Sequence, residues 1–335
     1  MLTATIAGSL PKPAWLAEPE QLFATWKYEG EALVEAQRRA AREWIEHQQE
    51  AGIGIVTEGE QGRIHFVHGF LQQIEGIDWE LKTPMGIRDD RYTVEVPTVT
   101  GPISRPRSVH LEEARYARSV ATNALKFTLP GPMTICDTIA DVHYGKRADM
   151  AMAFAEILNQ EALQLEAAGV DVVQFDEPAF NVFMDDVKDW GIETLHRAIE
   201  GLKCTTAVHI CYGYGIEANL QWKQTLGSEW RQYEEIFPAL NASRIDQVSL
   251  ECAGSKVPLS LLALLKDKQL MVGAIGVEGD KIETPEEVAA TLTAAMQYVD
   301  KERILPCTNC GMAPIAYDVA LAKLRALGEG ARLVS

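Results

Sequence analysis

One unit recurs along this chain: an amphipathic helix, a glycine, a short apolar strand, and a polar residue where the strand ends. Leu33, Ala36, Ala40 and Trp44 fall at i, i+3, i+7 and i+11, a stripe that turns one helical face toward a core. Ala51-Gly52 closes that helix, and residues 53–57 follow as a buried strand running into Glu58-Gly59-Glu60. The same order returns with Phe154, Leu158, Ala162 and Leu165, then Ala168-Gly169, then a strand that delivers Asp176-Glu177-Pro178. Glycine suits a helix end because it adopts the left-handed conformation without a Cβ clash. Thr284-Pro285-Glu286-Glu287 opens a further helix with a capping box and proline at the first helical position.

Helices alternating with fully apolar strands predict a parallel sheet covered on both faces. Candidate strands lie at 3–8, 52–57, 96–102, 125–130, 170–176, 204–211, 245–251, 270–277 and 303–309. That is one more than an eight-stranded barrel needs, and 96–102 is set aside as part of a hairpin outside the wall. The expected fold is an α/β chain forming one (β/α)8 TIM barrel over residues 1–335, with a hairpin insertion around 85–102. A doubly wound open sheet is the alternative, but no Gly-x-Gly-x-x-Gly turn follows the first strand. In such barrels the chemistry sits on the loops at the C-terminal strand ends.

Composition narrows the partners. Lys+Arg number 31 against 48 Asp+Glu, a formal net charge of −17. That excess repels phosphate backbones and anionic lipid, so neither nucleic acid nor a membrane surface is expected as a partner. The N-terminus lacks the basic start and apolar run of a signal peptide, and no stretch approaches the ~18–20 apolar residues of a membrane span. Six cysteines are too sparse for a disulfide framework, and a reduced, cytoplasmic protein is expected.

Three apolar runs end in residues that bind metals: 204–211 in His209-Ile210-Cys211, 245–251 in Glu251, and 303–309 just before Cys310. Side chains alternate along a strand, so His209 and Cys211 share a face. One imidazole, two thiols and a carboxylate make a four-ligand zinc site. Packing is the competing explanation for any one of them, because a buried cysteine behaves as a small hydrophobe. Their common context favours the metal: each is followed at once by turn residues. Cys307-x-x-Cys310 is a redox pair, two ligands, or a ligand beside a bystander, and the wider constellation favours the last. Ligands spread over a hundred residues suit an open site that accepts a substrate rather than a closed structural knot. A thiol bound there would be deprotonated outright, whereas a free thiol is only a few per cent thiolate at neutral pH. The chemistry indicated is sulfur alkylation.

The segments Ile6-Ala7-Gly8-Ser9, Thr57-Glu58-Gly59-Glu60, Gly131-Pro132-Met133-Thr134, Phe175-Asp176-Glu177-Pro178-Ala179, His209-Ile210-Cys211-Tyr212, Ser249-Leu250-Glu251 and Asn309-Cys310-Gly311 occur in that order. Together they resemble the C-terminal catalytic domain of cobalamin-independent methionine synthase, along nearly the whole chain. The resemblance implies a barrel whose catalytic zinc binds the sulfur of homocysteine, with His209, Cys211, Glu251 and Cys310 as ligands. It makes Glu60 and Asp176 the catalytic carboxylates that hold the substrate ammonium, and puts Ser9 near its carboxylate. Glu58 and Glu177 are expected to cap a helix or stay solvated.

Three departures separate the chain from the folate-using enzymes. They carry a second, N-terminal barrel, and a single-barrel chain beginning directly at the catalytic part is expected here. Thr138 stands where they carry a tryptophan that stacks on folate, and Gly276-Val277-Glu278 stands where they carry an Asp-Ile-His motif. The expectation is therefore a zinc-dependent homocysteine S-methyltransferase of short, single-barrel form. Its donor would be a methylcorrinoid, or a methylfolate or other methyl delivered with a partner protein. A zinc alkyltransferase acting on another thiol and a non-catalytic zinc-binding barrel are the alternatives.

Overall fold

The computed structural model describes residues 2–334. Ten strands are β1 (Ile55–Val56), β2 (Glu75–Ile87), β3 (Tyr92–Ser104), β4 (Ala124–Pro130), β5 (Ala140–Asp141), β6 (Val172–Asp176), β7 (Thr205–His209), β8 (Gln247–Glu251), β9 (Gln269–Ile275) and β10 (Ile304–Thr308). Seven of them form one parallel sheet in the order β1-β4-β6-β7-β8-β9-β10. The segment from Ala4 to Ala7 fills the gap between its two edges. Thr5 N donates to Pro306 O at 2.8 Å, Ala7 N donates to Thr308 Oγ1 at 3.0 Å, and Gly54 and Ile55 both donate to Ala4 O. The curled sheet thereby closes as an eight-staved wall with helices outside it, the (β/α)8 architecture.

Alternation of side chains divides the core in two. Phe127, Val173, Phe175, Val208, Leu250 and Val272 pack in the main cluster together with the outer helices. Ile55, Val172, Ala207, Met271, Leu305 and Cys307 form a smaller cluster of their own. Lys126 lies beside these residues, its ammonium bonded to Ile6 O and 3.8 Å from Met271 Sδ. A strand buried on both faces must be apolar on the helix side, which is why these strands read as continuous hydrophobic runs.

The helix that the Leu33–Trp44 stripe predicts spans Gly30–Ala51 and ends on Gly52, whose φ of 87° permits its N–H to reach Gln48 O and Gln49 O. The one at 154–165 runs Arg147–Ala167, and Pro285–Ala295 opens on the complete Thr284/Glu287 capping box. Residues 96–102 lie in β3, which pairs antiparallel with β2 away from the wall. The hairpin begins at Glu75, ahead of the expected 85–102, and β5 extends it to three strands. Among the described residues no helix is long and apolar enough to cross a membrane.

Candidate active site at the strand ends

β7 and the loop after it bring His209 and Cys211 to one rim of the wall, and the turn after β10 brings Cys310 to the same place. The ligand atoms of these three residues all lie within 4.8 Å of one another, and all three are buried. His209 Nδ1 is 2.7 Å from Ser249 Oγ, a contact that fixes the ring. The other ring nitrogen, Nε2, is buried without a hydrogen-bond partner. Cys211 Sγ and Cys310 Sγ are 3.1 Å apart. That contact with Cys310, outweighing burial and aided by His209, lowers the Cys211 pKa; the Cys310 pKa is correspondingly raised. All six cysteines are free.

Glu251 stands apart from this cluster. Its Oε1 accepts from Lys223 Nζ at 2.8 Å and its Oε2 from Tyr212 N at 3.2 Å, and the Lys223–Glu251 ion pair is buried on both sides. The expected four ligands are thus three converging donors and a carboxylate already engaged. The physical reason is electrostatic: a buried carboxylate beside a thiol of lowered pKa demands a cation, and here a lysine ammonium supplies it.

The carboxylates form a second group. Glu60 adopts a left-handed backbone, φ 58°, and its Oε1 accepts from Thr128 Oγ1 at 2.9 Å. Gly8 makes this approach possible, since a Cβ there would lie 2.8 Å from Thr128 Cγ2 and 3.2 Å from Glu60 Oε1. Asp176 Oδ1 accepts from Gln174 Nε2 at 2.7 Å. Burial, opposed by His209 and reinforced by Glu60, raises the Asp176 pKa to about 7. A carboxyl in that state gains strongly from an incoming cation. Ser9 Oγ is 3.1 Å from Tyr214 Oη.

The acids expected to be structural are so, in different ways. Glu177 caps the short helix Pro132–Cys136, accepting from Met133 N and Thr134 N at 3.0 and 2.8 Å. Glu58 is neither a helix cap nor solvated: it is buried and paired with Arg63 at 2.8 Å. Glu278 is bonded to Lys223 at 2.6 Å, and His143 is exposed. Neither lines the cavity beside the thiols.

That cavity opens at the rim and is lined by Ser9, Glu60, Asp176, His209, Cys211 and Cys310, but not by Glu251. Thr138 lines it too, so no aromatic ring stands at that point. Sequence reasoning missed His65, Arg88, Arg91, Tyr214 and Trp222, all of which line the cavity. His65 stacks on Phe23 at 4.3 Å, and burial pushes its pKa well below the usual value. Tyr214 alone had a local signal, in the turn directly after His209-Ile210-Cys211.

Residues 1–332 match the family described as cobalamin-independent synthase, catalytic domain. The chain belongs to this family. As a member of the cobalamin-independent methionine synthase family it is a methyltransferase. A methionine synthase of Sulfolobus acidocaldarius is 31% identical over 335 residues, covering 100% of this chain and 92% of that protein. A B12-independent methionine synthase of Shewanella sp. W3-18-1, solved in complex with selenomethionine, superposes with a TM-score of 0.97 at 56% identity, covering 100% of this chain and 98% of that one. A Listeria monocytogenes protein described as a putative B12-independent methionine synthase shares the fold, with a TM-score of 0.74 at 17% identity over 100% of this chain and 99% of that one.

Proposed function

We propose that this protein methylates the sulfur of homocysteine, yielding methionine, with a zinc ion held by His209, Cys211 and Cys310. The observation that carries this reading is the unpartnered, buried His209 Nε2 grouped with two thiols 3.1 Å apart. A buried polar atom without a partner is costly, and nitrogen with two sulfurs is a donor set that suits zinc. Zinc bound there would supply the Lewis acidity that keeps a substrate thiol deprotonated at neutral pH. Glu251 would complete the set as a fourth ligand, since each of its carboxylate oxygens keeps a lone pair beside its bond from Lys223 or Tyr212.

The remaining residues bind and orient. Asp176 and Glu60 take the substrate ammonium through charge-assisted hydrogen bonds. The ammonium also offsets the burial, and with it the repulsion from Glu60, that raise the Asp176 pKa. The Ser9 and Tyr214 hydroxyls offer donors to the α-carboxylate. With both ends of the amino acid held, the sulfur reaches toward the thiols and the imidazole, and attacks the methyl carbon while the donor's other bond breaks. Selenomethionine bound to the Shewanella relative is in keeping with a methionine-shaped product. Two carboxylates at the ammonium position disfavour the alternative of a thiol substrate lacking an amino group.

For the donor we propose a methylcorrinoid, acting as an exchangeable reagent, or a methyl delivered by a partner protein. Thr138 offers no stacking platform, and neither Glu278 nor His143 lines the cavity, so neither reaches an amine leaving group there to protonate it. A corrinoid leaving group needs no protonation. The test is a turnover screen of purified, metal-analysed protein with homocysteine and methylcobalamin, methyltetrahydrofolate or its polyglutamates, each with and without cell extract. Stoichiometric zinc and turnover with methylcobalamin or only with extract are expected. Turnover without zinc overturns the metal assignment, and efficient turnover with free polyglutamyl methylfolate overturns the donor assignment.

A further inference from the structure

The hairpin β2–β3 leaves the barrel, and its turn returns to the cavity mouth. That turn is Arg88-Asp89-Asp90-Arg91, between the paired residues Ile87 and Tyr92. Arg88, Asp89 and Asp90 all have left-handed backbones, with φ of 54°, 58° and 55°. For non-glycine residues such a conformation is strained, and it persists where surrounding contacts impose it. Those contacts are present. Arg88 reaches the buried Asp137 through its backbone N–H at 3.1 Å and through its guanidinium, pinning the turn to the loop after Pro132–Cys136.

Pinned this way, the turn presents Arg91 to the cavity. Its guanidinium carbon lies 3.4 Å from the centroid of the Trp222 ring, and its Nη1 donates to Asn219 Oδ1 at 2.9 Å. Its Nε is buried with no partner. Among the described residues no carboxylate forms an ion pair with Arg91, in a chain with 48 acidic residues and a net charge of −17. Trp222 and Asn219 belong to the helix Glu217–Thr225, which follows the Cys211 turn. Arg91 therefore meets the cavity from a hairpin turn and a loop helix, while Glu60 and Asp176 come from the ends of staves. A planar guanidinium, stacked on an indole and lacking a counter-ion, matches the fork geometry of a carboxylate or phosphate.

We propose that Arg91, laid on Trp222, binds an anionic group, carboxylate or phosphate, of the methyl donor. The proposal rests on the methyltransferase reading above and adds to it a residue that recognises the donor. Polyglutamyl methylfolate carries carboxylates and methylcobalamin a phosphate, so the two sources separate by experiment.

Calorimetric binding to the zinc-loaded protein tests it, using homocysteine, methylcobalamin and triglutamyl methyltetrahydrofolate against wild type, Arg91→Met, Arg91→Lys and Trp222→Leu. At least one donor is expected to lose tenfold or more in affinity with Arg91→Met, to recover part of it with Arg91→Lys, and to weaken with Trp222→Leu. Homocysteine should bind all four proteins within twofold. The donor that responds identifies the anion. Binding of neither donor to wild type, equal donor binding by wild type and Arg91→Met, or parallel loss of homocysteine would overturn the proposal and leave Arg91 a hairpin anchor. A wild type that binds a donor through Arg91 but not homocysteine would instead overturn the substrate reading.

Discussion

The two sides of the cavity are built differently. The thiols, the imidazole and the carboxylates proposed to take the ammonium stand at the ends of barrel staves, are buried, and are held by hydrogen bonds within the wall, as Ser249 of the neighbouring stave holds His209 and Gln174 of the same stave holds Asp176. The side lined by Arg88, Arg91 and Trp222 is assembled from a hairpin turn and a loop helix, with these residues only partly buried. A stave end is fixed by the register of the whole wall, so a side chain there is pre-organised. A hairpin turn is fixed by its own few contacts, here the Arg88–Asp137 pair. The difference suggests that substrate capture is built into the fold, whereas donor choice lies in parts that change without disturbing it.

The largest effect should come from breaking the stave side. Cys310→Ala removes one of three converging donors, and zinc content should fall well below one per chain. Activity should fall at least about 100-fold, because loss of a group merely supporting a metal ligand already costs about 10–100-fold. The far-ultraviolet circular dichroism should stay near wild type, since the wall and its helices have their own core. Full zinc content in the variant would exclude Cys310 from the metal site.

A middling effect is expected at the ammonium end. Asp176→Asn replaces a charge-assisted bond with a neutral one, a loss of roughly 1.5–3 kcal/mol or about 10–100-fold. It should appear as a raised KM for homocysteine, with a much smaller change for an analogous thiol lacking the amino group. Equal changes for both thiols would remove Asp176 from ammonium recognition.

The same contrast explains what was legible in the sequence. Strands buried on both faces announce themselves as apolar runs, and a polar residue closing such a run stands out; Asp176, His209, Cys211 and Cys310 were found that way. Glu251 was found by the same signal, but its occupation by Lys223 was not, because Lys223 lies 28 residues away on a loop helix. The first stave was visible as residues 3–8 although it pairs by only a few hydrogen bonds. Arg91 and Trp222 are 131 positions apart by their numbers and meet only through tertiary folding. Neither sits in a periodic pattern, and an arginine in an Asp-rich turn reads as a solvated charge. The early start of the hairpin was hidden for a related reason. The exposed faces of β2 carry mixed polar and apolar residues, so no clean alternation marks where it begins.

The smallest expected effect sharpens the comparison most. Thr138 is half-buried at the cavity wall, and its hydroxyl donates to Ile135 O at 2.9 Å, closing the short helix that Glu177 caps at its other end. Thr138→Trp places a ring where the resemblance to folate-using enzymes implies a stacking tryptophan. It forfeits a hydrogen bond worth about 1 kcal/mol and offers a planar donor a stacking contact worth about 0.5–1.5 kcal/mol. The two nearly cancel, so the affinity for triglutamyl methyltetrahydrofolate should change by less than about fivefold in either direction. Zinc content and the KM for homocysteine should stay at wild-type values, because Thr138 belongs to a loop and supports no residue of the metal cluster. Isothermal titration with the folate, beside metal analysis, measures both. A large gain in folate binding with zinc unchanged would mean that the missing ring alone sets donor choice, and would demote the hairpin. A fall in zinc content would mean that the two sides are mechanically coupled, and would break the division between a fixed stave side and a replaceable donor side.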